Sequence, residues 1–192
     1  MGRVTRLVAV VAVGIVVLAG CQRDEQRPQA PAAVPATQEV SPGTLVAGEK
    51  VSPPKGEVVL TMSGEIGTHN QGKKLAFDIA SLEKMRTVRM ETTEPFLKRK
   101  VTFEGVLLSD LLAVAGVPES ASKINMTALD DYKVDFTVAD ARSSQMLLAT
   151  KADGKRMPVD KAGPIRIVFP DSSSLGRNPD LWIWSVSTMR LS

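Results

Sequence analysis

The stretch GPIRIVFP, residues 163–170, is the part of this sequence that decides the fold. Ile165, Ile167 and Phe169 alternate along it and a proline stands near each end, so the pattern predicts a short strand. Arg166 lies in the middle of that strand, between apolar neighbours. An arginine in this position either faces solvent or is a buried charge that points into a site, and both interpretations stay open here.

The residues after this strand predict a polar loop and a closing strand. The loop DSSSLGRNP, residues 171–179, carries hydroxyl groups, a glycine and an arginine. Its backbone N–H groups, with Ser173 and Arg177, are suited to binding an oxyanion, and a plain surface loop is the alternative. The stretch LWIWSVST, residues 181–188, is expected to be a strand with both tryptophans and Val186 on one face.

Upstream of the same stretch, the sequence alternates in the manner of a β-hairpin. Apolar residues stand at every second position of residues 124–128 and again of residues 132–138. The aspartates between them, Asp130 and Asp131, are expected in the turn. In the alternative interpretation they line the mouth of a pocket beside Tyr132.

The first half of the same region predicts further short elements. Strands are expected at residues 58–62, 74–77 and 101–105. Asp78 is placed to cap a helix that runs to about Met85. Apolar spacing of i, i+3, i+4 and i+7 from Leu108 predicts a second helix, which Gly116 ends. The expected fold class is α+β, a mixed β-sheet domain with a few short helices.

Three stretches together carry a resemblance to a known family. They are FEGVLLSDLL at residues 103–112, the region 128–155 that ends in Asp153-Gly154-Lys155, and GPIRIVFP with the tryptophan stretch after it. In this order and spacing they resemble the molybdopterin-binding domain of the sulfite-oxidase family of oxidoreductases. The resemblance covers about residues 58–191, and it implies that fold and a molybdopterin cofactor.

The resemblance also implies a metal ligand that this chain lacks. In that family a cysteine thiolate binds the molybdenum, at the end of a strand shortly before the strand–glycine–helix unit. Counting back from Gly105 places the equivalent position near Thr92 or Thr93. Neither side chain supplies a soft thiolate, and the only cysteine of the chain is Cys21. Thr92 and Thr93 therefore become candidates for a reused ligand pocket, and no catalytic residue is assigned.

Cys21 predicts where the protein resides. It follows Leu-Ala-Gly after an apolar run at residues 7–18, and this LAGC resembles the lipobox of bacterial lipoproteins. The run is too short to span a bilayer as a helix and is typical of a secretory signal. Residues 1–21 are thus expected to be a lipoprotein signal with Cys21 acylated on the periplasmic side, and Gln22 favours the outer membrane. The alternatives are an uncleaved transmembrane anchor and an ordinary signal with an incidental cysteine.

Residues 22–57 predict a disordered tether between that anchor and the domain. They hold six of the twelve prolines, and no apolar periodicity runs through them. Residues 58–192 are accordingly expected to form one molybdopterin-binding-like domain.

Composition excludes several classes of function. The net charge of +3 falls to about +1 once the two arginines of the signal are removed, so no nucleic-acid partner is expected. One cysteine cannot form an intramolecular disulfide. The lone histidine, His69, cannot build a zinc or haem site in a domain without cysteine.

The sequence thus favours a binding or sensory module that has lost catalysis. No cofactor is expected, with molybdopterin as the alternative; an active oxidoreductase with non-thiolate ligation and a protein-interaction lipoprotein of the envelope are the other interpretations. The expected partners are the membrane, through the anchor, and either an envelope protein or a small oxyanion or pterin-like ligand. The candidate pocket residues are Thr92, Thr93, Asp131, Tyr132, Arg166, Ser173 and Arg177.

Overall fold

The computed structural model describes Gly2 and residues 36–192. The predicted signal, the predicted lipidation site Cys21 and the first part of the predicted tether lie outside these residues. None of the described helices is both long enough and apolar enough to cross a membrane.

Short strands make up most of the described chain. The strands are β1 (Thr37–Ser41), β2 (Leu60–Gly64), β3 (Leu75–Phe77), β4 (Thr87–Glu94), β5 (Arg99–Leu107), β6 (Lys123–Ala128), β7 (Lys133–Thr137), β8 (Leu147–Ala152), β9 (Lys155–Arg156), β10 (Arg166–Val168) and β11 (Val186–Leu191). The α-helices are α1 (Ile79–Leu82), α2 (Leu108–Val114) and α3 (Val138–Ser143). Single 3₁₀ turns lie at Val159–Lys161, Leu175–Arg177 and Pro179–Leu181.

The strands form two sheets. The first has the order β1-β4-β5-β8-β10, with β9 paired to β8, and its neighbours are antiparallel. The second has the order β3-β2-β11-β6-β7, and in it β11 runs parallel to β2 but antiparallel to β6. The expected α+β class, with a mixed sheet and a few short helices, is confirmed.

Both sheets contribute to one continuous apolar core. Helix α2 buries Leu108, Leu111 and Leu112, as its spacing predicts, and Gly116 follows it with a φ of 64°. Strand β4 buries every second residue from Val88 onward. At the C-terminal end of the strand, the buried side chains are therefore the polar ones of Thr92 and Glu94. That end of β4 contributes to the candidate site.

The sequence-based domain boundary at Val58 is wrong, because the chain already joins the domain at β1. Strand β1 pairs with β4, and Val51 is 3% exposed in the core. The backbone N–H groups of Lys55 and Gly56 donate to the Asp78 carboxylate at 3.0 and 2.8 Å. Backbone hydrogen bonds hold much of the segment 37–57 in place. Such bonds do not depend on side chains, so they require no periodic pattern of apolar residues in the sequence.

The expected strand over residues 181–188 is also corrected. A 3₁₀ turn ends at Leu181, and Ser185 adopts a φ of 49°, so β11 begins only at Val186. Left-handed backbone interrupts the alternation of a strand. As a result, Trp182 is 4% exposed whereas Trp184 is 40% exposed, and the two rings do not share one strand face with Val186.

Asp78 connects the N-terminal segment to helix α1. Besides the Lys55 and Gly56 N–H groups, its carboxylate accepts the Ser81 backbone N–H at 2.7 Å and the Ser81 hydroxyl at 2.6 Å. The Ser81 hydroxyl oxygen in turn accepts the Asp78 backbone N–H at 2.9 Å, which completes a capping box. These hydrogen bonds, led by that of the Ser81 side chain, lower the pKa of Asp78 to about 2.

We expect Asp78→Asn to lower the free energy of unfolding by about 2 kcal/mol, because an amide cannot accept from all these donors. A folded-state pKa below the ordinary value stabilises the fold above about pH 4, and that contribution disappears as the pH falls toward 2. Urea unfolding at several pH values should therefore show that the free energy of unfolding falls less steeply below about pH 4 in the variant than in the wild-type protein. Asp160→Asn, at an exposed carboxylate, is the control, and equal losses in both variants would contradict this role of Asp78.

Candidate functional site

A buried ion pair lies at the centre of the candidate site. The Arg166 Nη2 atom donates to Glu94 Oε1 at 2.9 Å, and the two side chains are 6% and 1% exposed. Glu94 ends β4 and Arg166 begins β10, two strands that β5 and β8 separate in the sheet order. The pair therefore joins distant strands, and of the two interpretations of Arg166 the buried one holds.

Aromatic rings surround the Arg166 guanidinium. Its central carbon lies 5.5, 5.9 and 5.1 Å from the ring centroids of Phe103, Trp182 and Trp184, within range of cation–π attraction. Burial lowers the pKa of Arg166, and the ion pair with Glu94 opposes that shift. The buried Arg166 Nε atom has no hydrogen-bond partner among the described residues.

The second carboxylate oxygen of Glu94 organises the turn that follows β4. Oε2 accepts the backbone N–H groups of Phe96 and Leu97 at 2.8 and 2.6 Å. This places two exposed apolar side chains, Phe96 and Leu97, at the edge of the ion pair. The Phe96 ring meets Trp184 edge-on with centroids 4.9 Å apart.

A cleft of about 730 Å³ opens above the ion pair. We call it the central cleft, and it is lined by Glu94, Phe96, Leu97, Leu129, Asp130, Val159, Asp160, Lys161, Ala162, Arg166, Trp184 and Ser185. Its volume is in the range of cavities that hold a small molecule. Apolar side chains form most of its walls, and its charged groups comprise three carboxylates and two cations.

Thr92 and Thr93 lie in a separate polar cluster. Asp171 Oδ1 accepts the Thr92 hydroxyl at 2.9 Å and the Thr93 backbone N–H at 2.7 Å, while Asp171 Oδ2 pairs with Lys100. The hydrogen bond from Lys100 is the main cause that lowers the pKa of Asp171 to about 2. Thr92 is fully buried, and neither threonine lines the central cleft.

The remaining candidate residues do not converge on the central cleft. Asp131 is an exposed turn residue with a φ of 67°. Ser173 accepts the Gly176 N–H at 3.4 Å within its own loop, and Arg177 is exposed in a 3₁₀ turn. Tyr132 lies in a smaller adjoining pocket, where its hydroxyl donates to the Asp180 carbonyl at 2.9 Å. The loop over residues 171–179 thus folds onto itself and onto β4, and of the seven candidates only Arg166 lines the central cleft.

Sequence reasoning missed Glu94, Phe96 and Trp184 as members of the site. The sequence position of Glu94 could have identified it. Glu94 continues the alternation of Val88, Met90 and Thr92 along β4 and therefore faces inward. Nothing in the local sequence indicates that Phe96 and Trp184 meet, since this contact depends on the tertiary fold.

Comparisons with known proteins agree with this fold. The family model for the oxidoreductase molybdopterin binding domain matches residues 71–178, more than half of the 192-residue chain. The crystal structure of the sulfane dehydrogenase SoxCD from Paracoccus pantotrophus is similar with a TM-score of 0.54 at 18% identity. The match covers 69% of this chain but 37% of that one, so it speaks for the fold alone. No curated protein matches the sequence.

The molybdenum cofactor that this family implies does not fit the described residues. Near the position where the resemblance implies the thiolate ligand, the Thr92 hydroxyl is buried and already donates to Asp171. The central cleft has more carboxylates than cations, and this disfavours the phosphate of a pterin cofactor.

We expect Glu94→Gln to destabilise the fold by about 3 kcal/mol, because it leaves the Arg166 charge buried without a counter-charge. Adding Arg166→Met should restore part of the loss, since the unpaired charge is then removed. Urea unfolding followed by tryptophan fluorescence measures both effects. Asp135→Asn, which breaks the exposed pair with Lys123, is the matched control and should change stability little. A Glu94→Gln variant as stable as this control would contradict the account.

Proposed function

The chain belongs to the oxidoreductase molybdopterin-binding domain family, and from that premise we propose that its folded domain is a non-catalytic binding module. The observation that carries the proposal is the hydrogen bond of the Thr92 hydroxyl. Its hydroxyl supplies no soft ligand and is committed to the Asp171 carboxylate at 2.9 Å, where the family resemblance implies a thiolate.

The central cleft supports binding as the retained activity. It keeps a volume of about 730 Å³, an aromatic wall at Phe96 and Trp184, and a buried ion pair at its base. An ion pair between buried partners costs desolvation, and it persists here although apolar side chains fill most of the surrounding core. Such a cleft fits an organic ligand, because small-molecule sites are concave and mostly apolar and carry a few placed polar groups.

We further propose that the module is anchored in the cell envelope. Cys21, after Leu-Ala-Gly and an apolar run, supports acylation and placement on the periplasmic side of a membrane. Two or more acyl chains anchor a protein stably, whereas one chain binds only marginally. Gln22 at the next position favours the outer membrane.

Metal and pterin content test the loss of the cofactor. Full-length protein made in a molybdenum-replete, cofactor-competent host should contain neither molybdenum by elemental analysis nor pterin by fluorescence after denaturation. A cysteine-containing member of the same family from the same host is the positive control. Near-stoichiometric molybdenum and pterin in this protein would overturn the proposal and indicate an oxidoreductase with non-thiolate ligation.

Acylation is tested at its one cysteine. Cells that grow on labelled palmitate should incorporate the label into the wild-type protein and not into Cys21→Ser, because the thiol is the acceptor. The wild-type protein should also fractionate with membranes after a high-salt wash. A Ser173→Ala variant, changed far from Cys21 in sequence, is the matched control and should keep the label. Label that remains in Cys21→Ser would contradict a lipid anchor at this position.

A further inference from the structure

Beside the central cleft lies a smaller pocket with unusual walls. This aromatic pocket has a volume of about 310 Å³ and is lined by Phe96, Ala128, Asp130, Tyr132, Pro179, Asp180, Trp182 and Trp184. The whole chain has two tryptophans, one tyrosine and five phenylalanines. Both tryptophans and the only tyrosine therefore meet at one pocket, together with Phe96.

Contacts around the aromatic pocket hold its rings in place. The Tyr132 hydroxyl donates to the Asp180 carbonyl at 2.9 Å, and the Trp182 Nε1 atom donates to the Gly176 carbonyl at 2.9 Å. Trp184 packs edge-on against Phe96 with an interplanar angle of 74°. Because these polar ring atoms already have partners, the rings present mainly their π surfaces to a ligand.

The charge of the aromatic pocket is negative. Asp130 and Asp180 line it, and none of its lining residues in the described chain is a lysine or an arginine. Neither aspartate takes part in an ion pair among the described residues. The nearby Arg166 does not compensate them, because its partner is Glu94.

The exposure of these rings points to a ligand. Phe96, Tyr132 and Trp184 are 51%, 46% and 40% exposed, and exposed large apolar side chains that cluster around a concavity mark binding sites. Aromatic faces attract cations and repel anions. The two carboxylates act in the same direction, and a bare metal ion would gain no ligands from the rings.

We propose that the aromatic pocket binds an organic cation that carries a quaternary or methylated ammonium group. The ammonium group lies against the three exposed rings of Phe96, Tyr132 and Trp184 and is neutralised by Asp130 and Asp180, as in other aromatic cages for such groups. This assignment rests on the proposed non-catalytic binding function, and it adds a second site beside the central cleft and names the ligand class of that site. The same group occurs in free choline-like molecules and in phosphocholine headgroups, so the shared chemistry is the quaternary ammonium.

Titration calorimetry and tryptophan fluorescence on the full-length protein test the proposal, with choline and tetramethylammonium as probes. The neutral carbon isostere of choline, 3,3-dimethylbutan-1-ol, has the same shape without the charge. We expect saturable binding of both cations and at least about tenfold weaker binding of the isostere. Phosphocholine that binds as well as choline assigns the site to headgroups, and binding of choline alone assigns it to a free ligand. Equal binding of the isostere would overturn the proposal.

Two variants locate the site. Tyr132→Leu removes an aromatic wall and Asp180→Asn removes a charge, and each should weaken choline binding about tenfold. Asp135→Asn is the matched control, because Asp135 is an exposed carboxylate that lines neither the central cleft nor the aromatic pocket, and it should leave choline affinity unchanged. Circular dichroism checks that each variant is folded. An equal effect of Asp135→Asn, or no effect of the other two, would contradict the assignment.

The outcomes separate this proposal from the one it rests on. Protein that is free of molybdenum and pterin but binds no choline or tetramethylammonium would overturn the cation pocket and leave the non-catalytic function standing. Protein loaded with metal and pterin would overturn the non-catalytic function whether or not choline binds.

Discussion

The rest of the site depends on the buried ion pair between Glu94 and Arg166. It joins β4 to β10 across the sheet order, and Glu94 also fixes the turn that presents Phe96. The guanidinium also lies 5.1 Å from the centroid of the Trp184 ring, which lines both the central cleft and the aromatic pocket. A charge buried this deeply is tolerated because its counter-charge is within hydrogen-bond distance and aromatic faces surround it.

The fold was predictable wherever a local pattern controls it. The cap at Asp78, the spacing of α2 and the alternation of β6 and β7 each predicted an element that the structure contains, although helix α1 ends at Leu82 and not near Met85. The strand GPIRIVFP pairs with β8 and positions Arg166, and its resemblance to the sulfite-oxidase family agrees with the matching family model. In these places the short-range physics of hydrogen bonding and periodic burial is sufficient.

The site was less predictable, because it is assembled by contacts between residues far apart in sequence. Strand β1 was missed since its residues are polar and exposed, and only pairing with β4 orders them. Ser185, in left-handed conformation, separates both tryptophans from Val186 in a stretch that alternates like a strand. The Thr92 hydroxyl meets Asp171, 79 positions away in sequence, and no local signal predicts that this contact stands where a relative's metal ligand would be.

We propose that this domain keeps its family's fold while its residues no longer fit the family's cofactor. The most direct test is anaerobic reconstitution of the full-length protein with molybdopterin released from a cofactor-bearing enzyme, followed by gel filtration and pterin fluorescence of the protein peak. We expect that no pterin is retained with the protein, because the Thr92 hydroxyl already donates to Asp171 and the central cleft has more carboxylates than cations. Stoichiometric retention of the pterin would contradict it.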